Sequence, residues 1–169
     1  MSFLRQMYPL HLLAAPAVAP LFLRGLLLFA LLLGQATADV RVKALAGTDY
    51  PSAREALVES VEAEGLVVGA VLPFAGMLAR TGGNEASPYA EAEIVQFCSS
   101  VLARRMVREA PEQLALCPLS IAVYATKAEP GKVFYAWRTT GGATPARAGA
   151  DALLGKLVER AAGLARMRW

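Results

Sequence analysis

Two cysteines, Cys98 and Cys117, are the side chains of this sequence best suited to chemistry. A thiol pair can close a disulfide, exchange with another disulfide, or lie buried and inert. Two thiolates alone are too few ligands for a closed zinc site, and an acid such as Glu93 would have to join them, so a metal centre ranks last. Cys98 directly precedes an expected helix start, where the positive end of the helix dipole stabilises a thiolate, and Arg104, Arg105 and Arg108 follow within the next turns. The same arginines could hold an anion, although a solvated helix face with an Arg105–Glu109 pair is the commoner use of such a cluster. Tyr89, Tyr124, Tyr135 and Trp137 could line a pocket, or simply pack. Ser99 and Ser100 have no histidine to activate them and read as helix caps, with Ser99 retained beside Tyr89, Tyr124, Arg104 and Arg105 as a candidate ligand contact.

The absence of histidine narrows the chemistry further. The only one, His11, lies in an N-terminal segment with the order of an export signal: Arg24, then an apolar run from Gly25 to Leu33, then Gly34-Gln35-Ala36-Thr37-Ala38 with small residues at the two positions a signal peptidase reads. A membrane-spanning helix of about 20 apolar residues would have to annex Pro16, Pro20 and Arg24. Cleavage after Ala38 is therefore expected, with an uncleaved anchor as the alternative and the only implied membrane contact. A mature domain without imidazole excludes Ser–His and Cys–His catalysis, and no catalytic residue, metal or cofactor is assigned. An exported, periplasmic location also favours a Cys98–Cys117 bridge, because such compartments oxidise thiols.

The charge balance points the same way. The chain of 169 residues carries 17 basic and 14 acidic side chains. Losing residues 1–38 removes Arg5 and Arg24 and no acid, so the net charge falls from +3 to +1. A near-neutral domain cannot neutralise several phosphates at once, and nucleic acid is excluded as a partner.

These side chains need a frame to hold them. Val40 to Leu45 alternates like a half-buried strand, with Val40, Val42 and Ala44 on one side. Ser52-Ala53-Arg54-Glu55 has the form of a capping box ahead of a helix that Gly65 ends. Leu66 to Leu72 predicts a buried strand, with Gly69 either a bulge or a point of close approach. Thr81 to Pro88 is loop chemistry and a candidate pocket cover. Glu93 to Cys98 predicts a strand, Leu102 to Ala110 an amphipathic helix, and Leu114 to Cys117 a short strand. Leu119 to Thr126 and Lys132 to Arg138 predict a hairpin turning at Glu129-Pro130-Gly131. Ala150 to Leu164 keeps helical spacing, and Gly149, Gly155 and Gly163 mean that packing must hold that helix. A right-handed crossover between the two cysteine-bearing strands would make them parallel and place both sulfurs at one edge.

Taken in order, Asp49-Tyr50, Glu64-Gly65-Leu66, Val95-Gln96-Phe97-Cys98-Ser99, Arg105-Met106, Leu116-Cys117-Pro118-Leu119 and Ile121-Ala122-Val123-Tyr124 resemble the domain-of-unknown-function 302 family over about Val42 to Arg138. That resemblance implies a compact, often self-associating α+β domain with no established activity, and a homodimer is expected from it. The helix after Arg138 is longer than the minimal family domain.

The sequence thus predicts three parts: a signal over residues 1–38, an α+β domain over 39–145, and a C-terminal amphipathic helix over 146–169. The domain is expected to have a mixed sheet of five to six strands with helices mainly on one face. The expected role is non-enzymatic binding of a small molecule or protein, at the cysteine edge and the Thr81–Pro88 loop. The alternative is a periplasmic thiol redox or electron-transfer accessory using Cys98 and Cys117.

Overall fold

The computed structural model describes residues 39–168, so the expected export signal lies outside the described residues. Five strands, β1 (Val40–Leu45), β2 (Val67–Leu72), β3 (Tyr89–Cys98), β4 (Leu119–Thr126) and β5 (Val133–Arg138), form one sheet in the order β1-β5-β4-β3-β2. All its pairings are antiparallel. The α+β class stands, but the sheet is not mixed.

Four α-helices, α1 (Tyr50–Glu62), α2 (Phe74–Thr81), α3 (Ser100–Glu109) and α4 (Pro145–Met167), accompany a 310 helix over Pro111–Leu116. Leu114 to Cys117 is therefore not a strand. Pro111 opens the 310 turn, where its missing N–H costs nothing, and Pro118 leaves no room for a regular strand before β4. Helix α3 leads the chain away from the sheet and the 310 helix, packed on α3, brings it back to the end it left. The next strand must then run antiparallel, and the expected parallel crossover does not form.

Helix α1 starts earlier than the capping box implies. Asp49 is the N-cap, its Oδ1 accepting from the Ser52 amide at 2.8 Å, and Pro51 sits in the first turn. Glu55, the expected partner of Ser52, instead meets Arg168 at 2.8 Å. Gly65, at φ +71°, follows this helix as expected, in a left-handed conformation that β-carbon-bearing residues rarely adopt.

The core lies on one side of the sheet. Val95 and Phe97 of β3, Ile121 and Val123 of β4, and Tyr135 of β5 are fully buried with Leu57 and Val61 of α1 and Leu154 and Leu157 of α4. Alternation decides the buried face of every strand, and in β1 it is the face of Lys43 and Leu45: Lys43 Nζ reaches Glu159 on α4 at 2.9 Å, while Val40 and Val42 are 63% and 56% exposed. Strand β2 is an edge strand rather than a buried one, with Val67 78% exposed, and its register shifts at Gly69, as a bulge there requires.

Helix α4 packs along α1 through small residues, Ala53 and Ala56 from one helix and Ala150, Ala161 and Ala165 from the other. A polar tie locks the pair, Ser60 Oγ donating to the Leu157 carbonyl at 2.9 Å, and another fixes α1 to the sheet, Tyr135 Oη of β5 donating to the Ala53 carbonyl at 2.6 Å. The α4 N-terminus is held by Thr144, whose Oγ1 accepts from the Arg147 amide, and by Glu109 of α3, which accepts from the Ala146 amide at 2.9 Å. The bond from the Thr144 hydroxyl first, and then the one from the Ala146 amide, hold the Glu109 carboxyl below its usual range and take it away from the expected Arg105 pair.

The three glycines of α4 do not play one role. A β-carbon at Gly149 would sit 3.2 Å from Leu102 Cδ2, so this glycine lets α3 approach, whereas Gly155 and Gly163 have nothing within 4 Å. Gly155→Ala and Gly163→Ala should therefore each stabilise the fold by about 0.5 to 1 kcal/mol through reduced backbone freedom of the unfolded chain. Urea unfolding would show this, and destabilisation by either variant would count against it.

Candidate functional site

Most of the side chains singled out from sequence fall in two places, the cysteine end of the sheet and its outer face, while Tyr135 is in the core. Cys98 ends β3 and Cys117 follows the 310 helix, and because β3 and β4 pair as far as Phe97 with Leu119, both cysteines reach the same end of the sheet. Their Sγ atoms lie 3.0 Å apart as free thiols, Cys98 exposed and Cys117 partly covered. Burial, and then the neighbouring Cys98 thiol, push the Cys117 thiol up to about 12.

Ser99 caps α3, its Oγ accepting from the Leu102 amide at 3.4 Å. Arg104 and Arg105 are exposed and join Arg108, Ser100 and Val101 around a shallow depression of about 200 Å³ that includes neither cysteine. Glu93 is engaged elsewhere, its Oε2 3.0 Å from Arg54 Nε on α1. Among the described residues no three His, Cys, Asp or Glu side chains cluster as metal ligands would.

Tyr89 and Tyr124 do meet, though far from the sulfurs. Their rings cross edge to face with centroids 5.7 Å apart, Phe74 continues the row beyond Tyr89, and Phe134 stacks on Tyr124 at 5.1 Å. This aromatic row runs across the sheet face opposite the core, and burial raises the Tyr124 phenol above its usual range. The row packs side chain on side chain and does not line the main cavity.

That cavity, of about 620 Å³, opens at the other end of β3. The loop before α1 (Gly47 to Asp49), Tyr50, the start of β3 (Ala90, Glu91) and the β4–β5 hairpin from Ala125 to Val133 enclose it. Ala90, Ala125, Pro130 and Val133 make its walls apolar, while Asp49, Glu91, Lys127 and Lys132 bring both charge signs to it. Lys132 is paired with Glu129 at 2.7 Å. The Thr81–Pro88 loop contributes no residue to the lining of this cavity.

The hydroxyls of two lining residues stand out. Tyr50 Oη and Thr126 Oγ1 are buried without a hydrogen-bond partner. A buried hydroxyl left unpaired costs on the order of 1–3 kcal/mol, and such groups are rare in native folds. Burial first, then Glu93 and Glu91, raises the Tyr50 phenol far above its usual range, so it stays a neutral donor at physiological pH. Sequence reasoning missed both residues as site candidates. Tyr50 was visible as an aromatic at a helix start, but the segments that close the cavity around it lie far apart in sequence.

A family model described as "Domain of unknown function DUF302" matches residues 41–143. Among solved structures, one described as an uncharacterized conserved protein DUF302 from Bacillus stearothermophilus superposes with a TM-score of 0.60 at 18% identity, covering 72% of this chain and 97% of that one. At that identity the likeness concerns the fold alone. No curated protein matches.

Proposed function

Because the chain belongs to the DUF302 family, for which the matches carry no activity, we propose from the site itself that this domain is a non-enzymatic binder of a small molecule, seated in the cavity between the α1 N-terminus and the β4–β5 hairpin. The observation that carries the reading is a cavity of about 620 Å³ whose lining includes Tyr50 and Thr126, two residues whose hydroxyls are buried without a partner. That volume falls within the range of roughly 300–1,000 Å³ typical of ligand pockets, and mainly apolar walls with a few converging polar groups are their usual composition. Both charge signs stand around the opening and the phenol is neutral, which favours a ligand with an apolar body and an uncharged hydrogen-bonding end. The reading includes export, which the residues before Asp39 imply and N-terminal sequencing of the secreted form would check. It also includes a homodimer. Sedimentation of the purified chain over a range of concentrations would check that dimer.

The test is a thermal-shift screen of the purified chain against neutral amphiphilic compounds, followed by titration of any that raise the melting temperature. A true ligand should lose at least tenfold in affinity with Tyr50→Phe, about 1.4 kcal/mol, and all measurable affinity with Ala125→Trp, which fills the space. Ligands unaffected by both substitutions would place binding elsewhere and overturn the reading.

A further inference from the structure

We infer that Cys98 and Cys117 form a dithiol–disulfide couple that exchanges with an external disulfide, with Cys98 as the sulfur that meets the partner. The inference goes beyond the ligand reading and concerns the opposite end of the sheet, seven residues and about 23 Å along β3 from the cavity edge at Glu91. Three observations carry it.

The first is contact. Two thiols whose Sγ atoms lie 3.0 Å apart need only a small displacement to bond, and the strand pairing next to them, Phe97 with Leu119, already fixes the backbone on both sides. The second is asymmetry of access. Cys98 is exposed at the end of β3, whereas Cys117 is partly covered, so only one sulfur of the pair offers itself to a macromolecular or small disulfide. The third is a neighbouring place for the partner to rest. A shallow apolar groove of about 360 Å³ runs from Cys98 and Pro118 along Val67 and Ala70 of the edge strand β2.

The chemistry balances with one named co-reactant, a disulfide. The Cys98 thiolate attacks one sulfur of the incoming bond and forms a mixed disulfide, expelling the other sulfur as a thiolate. Cys117 then gives up its proton and attacks Cys98 Sγ, closing the intramolecular bond and expelling the second thiolate. The external disulfide gains two electrons, the pair loses two, and the protons of the two cysteines end on the two released thiols. The raised affinity of Cys117 for its proton suits this order. It is a poor first nucleophile, and the part of that shift due to the Cys98 thiol vanishes once Cys98 is tied up in the mixed disulfide.

Oxidised glutathione serves as the probe, with intact mass as the readout and circular dichroism confirming that each variant is folded. The reduced full chain should lose two hydrogens without keeping an adduct. Cys117→Ser should trap one glutathione on Cys98, and Cys98→Ser should react at least tenfold more slowly. Reduced glutathione should then reopen the wild-type bridge. Two glutathione adducts on the wild type, equal reactivity of the two variants, or no reaction would each overturn the couple. A bridge that glutathione cannot reopen would overturn exchange and leave a static staple. Compound binding in the cavity, measured with Cys98→Ser, tells failure of this inference from failure of the ligand reading.

Discussion

A chain ending at Thr144 should fail to fold, although it retains everything the DUF302 family model matches, residues 41–143. Helix α4 begins at Pro145 and buries Ala146, Ala150, Leu154, Leu157, Val158, Ala161, Ala162 and Ala165. Burial of Leu154, Leu157 and Val158 is worth about 1.5 to 3 kcal/mol each, before counting the five alanines. Domains of this size are stable by about 5–15 kcal/mol in total, so the loss is comparable with the whole margin. Removal would also strand Ala53, Ala56, Leu57 and Val61 of α1 against water and leave the Ser60 hydroxyl without its acceptor, the Leu157 carbonyl. The truncated chain should show no cooperative urea transition and should aggregate. A transition with the midpoint of the full chain would mean that α4 is an accessory, not part of the core.

The same helix shows how much of this fold is legible in sequence. Its apolar spacing and its three glycines announce a helix that needs a partner, and α1, with alanines at helical spacing, is that partner. The hairpin between β4 and β5 is equally legible, because Glu129-Pro130-Gly131 can only turn, with Gly131 at φ +79°. What local pattern cannot supply is the path between distant segments. Leu114 to Cys117 reads as a strand because short apolar runs are ambiguous, and only the packing of the 310 helix on α3 decides it. That one misreading reverses the direction of β4, yet the cysteines still meet, since an excursion that returns to its starting end brings them together as surely as a parallel crossover would. The cavity was illegible for a different reason. Its walls come from Gly47–Tyr50, Ala90–Glu91 and Ala125–Val133, and neither Tyr50 nor Thr126 belongs to a pattern that signals binding, although Asp49-Tyr50 is among the segments that carry the family resemblance. Their significance lies in what they fail to bond, which no spacing encodes.

Phe97→Ala should cost about 3 to 5 kcal/mol, and Val42→Ala less than about 0.5 kcal/mol, although both remove apolar atoms from strands of one sheet. The contrast tests which face carries the stability. Phe97 is 1% exposed and sits among the side chains that α1 and α4 cover, so its removal leaves a cavity that rigid neighbours on two strands cannot close. Val42 is 56% exposed on the outer face, where water already reaches it, and its loss removes little buried area. Alternation in β1 makes a valine face attractive as the buried one, but Lys43 and Leu45 point to the helices instead, the lysine with its stem along the core and its charge on Glu159. Chemical denaturation of the two variants at equal protein concentration decides the matter. If Val42→Ala proves as costly as Phe97→Ala, the outer face is covered in solution, and a concentration-dependent midpoint would then identify a second copy of the chain as the cover.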